Sequence, residues 1–138
     1  MWRLYHMPMD RDLVAPVAAG FIHRGDIFWV AADESIGAIS GSPHPHVVVQ
    51  GNVFNHSRIA TVVVCSLSSN LKRASEPGVV LLDAGEGGLE RQSVVISSQV
   101  SSIGKDRLGD RIGSLSSHRV DQVVAARHFL QASHCRGR

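Results

Sequence analysis

From Gly25 onward the chain is a succession of short apolar runs rich in β-branched residues, cut by glycine, proline and serine, with no helical period between them. Ile27-Phe28-Trp29-Val30-Ala31 opens behind Gly25-Asp26, and His46-Val47-Val48-Val49-Gln50 closes on Gly51-Asn52. Thr61-Val62-Val63-Val64-Cys65-Ser66-Leu67, the strongest run, closes on Ser68-Ser69-Asn70. Branched side chains favour the extended backbone, and turn residues at each end bound the strands. Val79 to Leu82 is a further strand behind the Glu76-Pro77-Gly78 turn, and Ser93 to Ile103 a longer one. Within that last run Ser97-Ser98 and Ser101-Ser102 predict a bend or bulge. Gly85-Glu86-Gly87-Gly88 is a tight turn, and Phe54 to Arg58 is one helical turn. Strands that do not alternate with helices exclude a doubly wound fold. They predict five or six antiparallel strands in a small barrel or half-barrel.

The period changes only near the C-terminus. Ser116 or Ser117 is a good N-cap, and Val120, Val123, Val124 and Leu130 share one helical face, interrupted by Arg127. This predicts a helix from about His118 to Gln131. With 138 residues there is room for one domain, placed at 23–133, between an extension (1–22) and a tail (134–138). Hydrophobic residues make up 43% of the chain but include only four Phe, two Trp and one Tyr, so the core is aliphatic. The apolar segment Leu13–Ala19 follows Asp10 and Asp12 and is broken by Pro16, unlike a leader peptide. No run reaches the roughly 18 apolar residues a spanning helix needs, so no membrane partner is expected. Cys65 lies in a valine run and Cys135 in a polar tail; this argues against a disulfide and predicts a cytoplasmic protein. Formal charge is uneven. Residues 1–90 carry 6 basic and 9 acidic side chains, whereas residues 91–138 carry 8 and 3. A basic half suits a polyanion partner, although uneven charge is also common without one.

Candidate chemistry begins with the histidines. His44 and His46 bracket Pro45 at the exit of a polar loop, and His56 lies in the next connection. A His-x-His pair with a third histidine could chelate a metal, but no carboxylate or cysteine cluster supports one, and no metal or cofactor is expected. The remaining uses are solvated loop histidines or acid–base work near neutrality. Ser68-Ser69-Asn70 followed by Lys72-Arg73 places hydroxyl, amide and two cations at a strand end, which suits a phosphate or forms a solvated turn. The glycine-rich turn lacks Lys-Ser/Thr and is not a P-loop. Cys65 has no setting that would activate a nucleophile.

One ordered set of blocks is more specific. Arg24-Gly25-Asp26-Ile27-Phe28-Trp29-Val30 resembles the opening strand of the MazF/PemK (Kid) toxins. The likeness continues through Pro45–Gln50, Thr61–Asn70, Gly85–Leu89, Ser93-Val94-Val95 with Gln99, Lys105–Gly109 and Ile112–Leu115, and ends in the closing helix, across residues 24–131. The resemblance implies an SH3-like PemK/CcdB-type β-barrel with a terminal helix. It also implies a homodimeric endoribonuclease, the toxin of a toxin–antitoxin pair, that cuts single-stranded RNA without a metal through the RNA's own 2′-hydroxyl. The family pairs an Arg just before the Pro of the second strand with a Ser or Thr at the end of the third. By position these fall on His44 and Ser68. The first is a departure, because an imidazole cannot make the bidentate contact of a guanidinium. The family's acidic loop residue is also replaced, near Ile39.

The expectation is therefore that His44 is a general acid or base, with His46 as auxiliary, and that Ser68 holds a phosphate oxygen. Asn70, Lys72 and Gln99 line the RNA path. The resemblance further implies an antitoxin whose acidic, disordered tail lies across the RNA groove. Two other readings remain open: an RNA-binding or regulatory module with weakened catalysis, and a CcdB-like gyrase poison on the same fold. Against the poison, the chain ends Cys135-Arg136-Gly137-Arg138 rather than Trp-Gly-Ile.

Overall fold

The computed structural model describes residues 22–31 and 42–136, with side chains through Ala132. The polar loop that contains Ile39 and the extension before Ile22 lie outside the described residues. Six strands form one antiparallel sheet: β1 (Asp26–Val30), β2 (His44–Val48), β3 (Thr61–Ser68), β4 (Val79–Leu82), β5 (Ser93–Gly104) and β6 (Leu108–Ser114). Their order across the sheet is β4-β5-β3-β2-β1-β6. A short helix α1 (Asn52–Asn55) links β2 to β3, and α2 (Ser117–Arg136) closes the chain.

Side-chain alternation gives the sheet two apolar faces. On one, Ile27, Val47, Val49, Cys65, Leu67, Val80, Leu82 and Val95 pack with Val120 and Val123 of α2. On the other, Phe28, Val30, Val48, Val62, Val64 and Leu108 pack with Ile22. Ile22 is fully buried and belongs to the domain rather than to a loose N-terminal extension. Strands β4 and β6 are the sheet edges, yet the turn after β4 reaches β6. A Cβ on Gly88 would collide with the Ile112 backbone and one on Gly113 with the Gly87 backbone, while one on Gly87 would run into the Ile27 and Leu115 side chains. Gly85, Gly87 and Gly88 all have positive φ, which glycine alone adopts freely, so the tight turn expected there is a glycine-dependent closure of the two edges.

The bulge expected in β5 lies between Val100, opposite Cys65, and Ile96, opposite Ser66, so Ser97, Ser98 and Gln99 face no extra residue on β3. The Ser97 amide leaves the β3 ladder and donates to the Gly78 carbonyl at 3.1 Å. Strand β4 matches its expected span, while β2 begins two residues earlier than predicted, at His44. The helix α2 starts behind an N-cap: the Ser116 hydroxyl accepts from the Arg119 amide at 3.2 Å. It continues to Arg136, through most of the segment expected to be a tail.

Candidate functional site

Strand pairing assembles the site. His46 stands opposite Ser66 across the β2–β3 ladder. The β2–β3 pairing ends at this pair; His44 and Ser68 lie two residues further along their strands, and by strand alternation the four side chains share the face that carries Phe28, Val30, Val48 and Val64. That face is apolar where Val48 pairs with Val64 and turns polar over the next two steps. On the other flank His46 pairs with Phe28 and His44 with Val30, which walls the imidazoles on β1. His44 is exposed, whereas His46, Ser66 and Ser68 are half-buried.

His46 is held in one tautomer. Its Nδ1 lies 3.0 Å from the His44 carbonyl oxygen, which can only accept, so Nδ1 carries the hydrogen and Nε2 is left to exchange protons. Burial lowers the pKa of both imidazoles below the ordinary value. For His46 the bond to the His44 carbonyl opposes that shift, and the charges of His44 and Arg107 reinforce it. Arg107, just before β6, donates to the Ala31 carbonyl at 2.9 Å.

Ser68 ends β3 in a side-chain turn, its Oγ accepting from the Asn70 amide at 3.0 Å. The hydroxyl hydrogen can still be donated outward. Asn70 is engaged in its own chain, its Oδ1 accepting from the Lys72 amide at 3.2 Å as the cap of a 3-10 turn at Leu71–Ser75. Lys72 is exposed on that turn. Gln99 sits on the β5 bulge and is tied to β3, its Oε1 accepting from the Ser66 hydroxyl at 2.6 Å. The structure therefore brings His44, His46, Ser68 and Gln99 onto neighbouring strands, with Asn70 and Lys72 just past the end of β3.

The third histidine is elsewhere. His56 packs edge-on against His23, with ring centroids 4.8 Å apart, beyond the start of β1 and at the far end of that strand from His44. Cys65 is a buried free thiol on the opposite face, and burial pushes its pKa up to about 11. It is the inert small hydrophobe its valine-rich run predicts. Sequence reasoning missed Ser66, because a polar residue at an alternate strand position reads as solvent-facing, and its partner is 33 residues away.

Much of the basic excess in residues 91–138 is used inside the fold. Arg119 grips Glu86 with two bonds of 2.8 Å. Arg111 reaches the buried Asp26 at 3.3 Å. The Lys105 ammonium is buried against the carbonyls of Asn55 and Ser57, at 3.0 and 3.1 Å. The polyanion reading of that half therefore has fewer charges behind it than the composition suggested.

Residues 23–128 match the family of PemK-like, MazF-like toxins of type II toxin–antitoxin systems. The chain is 30% identical over 105 residues to the endoribonuclease EndoA of Bacillus subtilis (strain 168), covering 76% of this chain and 90% of that protein. It is 34% identical over 104 residues to the endoribonuclease MazF6 of Mycobacterium tuberculosis (strain ATCC 25618 / H37Rv), covering 73% and 91%. Among solved structures it resembles a mycobacterial endoribonuclease in complex with its cognate antitoxin, with a TM-score of 0.65 and 21% identity over 80% of this chain and 95% of that one. It also resembles MazF in a MazE–MazF structure from Deinococcus radiodurans, with a TM-score of 0.61 and 18% identity over 80% and 94%. The mostly antiparallel sheet with its terminal helix is the fold of those toxins, and the chain belongs to the PemK-like, MazF-like toxin family of type II toxin–antitoxin systems.

Proposed function

We propose that this protein is a toxin endoribonuclease that cuts single-stranded RNA on the open face of β2 and β3, with His44 and His46 moving protons and Ser68 holding a phosphate oxygen. The observation that carries this reading is the pairing that sets His46 across the ladder from Ser66, with His44 and Ser68 two residues further along the same two strands on the same face. In the reaction the RNA 2′-oxygen forms a bond to phosphorus and the bond from phosphorus to the 5′-oxygen breaks. A base removes the 2′-hydroxyl proton, and an acid supplies one to the departing 5′-oxygen. The products are a 2′,3′-cyclic phosphate and a 5′-hydroxyl. His46, with Nδ1 fixed and Nε2 available, and the exposed His44 are the groups that titrate in the range this needs.

The family's arginine is replaced by His44, so charge stabilisation at the phosphate falls to hydrogen-bond donors and nearby cations. Ser68 supplies one donor, its hydroxyl hydrogen left available by the turn to Asn70. Lys72 contacts a flanking phosphate, and Asn70 and Gln99 line the strand on either side. In cells the toxin is a cytoplasmic homodimer, silenced by an antitoxin whose acidic, disordered tail covers the same face. No helix among the described residues is long and apolar enough to cross a membrane.

The purified protein should cut single-stranded RNA in the presence of EDTA and leave cyclic phosphate ends. A substrate with a single 2′-deoxy sugar at the scissile position should survive. Loss of cleavage in EDTA, or cleavage of the deoxy substrate, would overturn the mechanism.

A further inference from the structure

Resting on the reading of this face as the RNA path, we infer that Arg107 is a catalytic residue, a guanidinium set at the end of β1 that takes the phosphate oxygens from the flank opposite Ser68. The need is chemical. As the 2′-oxygen adds to phosphorus, negative charge gathers on the two non-bridging oxygens, and donors aimed at that charge lower the barrier. Ser68 brings one hydroxyl hydrogen. Burial holds both imidazoles towards their neutral form, so neither supplies a lasting positive charge near neutrality. Arg111 and Arg119 are taken by Asp26 and Glu86, and the Lys105 ammonium is buried among carbonyls.

Arg107 is differently placed. It ends the 3-10 turn Lys105–Arg107, and the next residue, Leu108, stands opposite Val30 on β1. His44 faces the same Val30 from the other side, so Arg107 and His44 flank one end of β1. The Arg107 Nη2 donates to the carbonyl of Ala31, one residue beyond Val30, at 2.9 Å, which anchors the half-buried guanidinium at that end. Leu108, Val30 and Phe28 pack together on the face where the imidazoles stand. The guanidinium charge reaches His46 and helps to keep that imidazole neutral. The strands run β3-β2-β1-β6, so a phosphate lying over the imidazoles is met by Ser68 from β3 and by Arg107 from the β1 flank. A guanidinium is charged at every working pH, and its planar fork matches two phosphate oxygens. Arg107 neither gives nor takes a proton. The histidines move both protons, and Arg107 stabilises the charge that develops on the phosphate between the two transfers.

The test is single-turnover cleavage of a short single-stranded RNA in EDTA over a pH series, with the Tm measured for each variant. Arg107→Met keeps the stem and removes the charge. It should cut about a hundredfold more slowly, the usual loss for one charge-stabilising donor. Its acidic limb should move to higher pH, because His46 loses a neighbouring positive charge that lowers its pKa. Arg107→Lys restores a point charge without the fork, so the limb should stay at the wild-type pH while the rate recovers only in part. Arg58→Met, altered before the start of β3 and away from Ser68 at its far end, should cut like the wild type. A purely structural Arg107 would lower the Tm without moving the limb. An unchanged rate in Arg107→Met, or a slower rate with an unmoved limb, overturns the proposal while leaving the ribonuclease reading intact. Where Arg107→Met fails to fold, Arg107→Lys decides: a partial rate supports the proposal and a wild-type rate overturns it. A wild type that makes no cuts overturns both.

Discussion

His46 lies directly across the β2–β3 ladder from Ser66, and His44 and Ser68 follow two residues further along the two strands on the same face. Two imidazoles and two hydroxyls thus share one face through strand pairing and alternation. The wall of that face is apolar, with Phe28 beside His46 and Val30 beside His44. This surrounding has consequences that can be measured.

The first concerns pH. Burial lowers the pKa of both imidazoles, so each keeps its neutral form to a lower pH than the value of about 6.5 for a free imidazole. The acidic limb of kcat/KM should fall below that value. Stability follows the same sign. Since the unfolded chain binds these protons more readily, the contribution of the two histidines is complete above about pH 6.5 and is lost as pH drops towards the folded values. A pH–rate profile whose acidic limb lies above 6.5 would contradict this.

A second prediction concerns Lys105. Its ammonium is buried against the carbonyls of Asn55 and Ser57, which lie in and just after α1. Lys105→Met keeps the stem and removes the charge, leaving buried carbonyls without a donor. We expect a loss of about 2–3 kcal/mol, the usual cost of stranding such groups. Denaturant unfolding measures it, and an unchanged midpoint would show that the carbonyls find water.

The turn that joins the sheet edges supplies a third. A Cβ at Gly113 would meet the Gly87 carbonyl oxygen, which belongs to backbone and cannot swing aside. Gly113→Ala should cost roughly 1–3 kcal/mol by overpacking, visible as a lowered Tm. Gly51→Ala is a suitable control, because nothing lies within 4 Å of the added methyl. Equal Tm values for the two variants would mean that the edges are not held together there.

The sequence was most legible where local pattern and burial agree. Strand β4 (Val79–Leu82), between a Pro-Gly turn and a glycine turn, was readable residue for residue. The serine pair in β5 announced the bulge. Strand β6 was not marked as a strand, because Gly109, Asp110, Arg111 and Gly113 carry no apolar alternation, and it is extended through pairing with β1. The site was legible only in part for a similar reason. His44 and Ser68 emerged from a family resemblance, whereas the bond between Ser66 and Gln99 spans 33 residues and depends on register. The basic excess misled for the same cause, since partners such as Glu86 for Arg119 are distant in sequence.

If His44 and Ser68 perform the cleavage, single-turnover cleavage of a short single-stranded RNA will show it. His44→Ala and Ser68→Ala should each lose at least about a hundredfold in rate, the lower end of what a positioned proton carrier or oxyanion donor supplies. Both should keep the wild-type Tm, while His56→Ala, altered at the far end of β1, should cleave normally. If neither His44→Ala nor Ser68→Ala slows cleavage, the proposed active site is wrong.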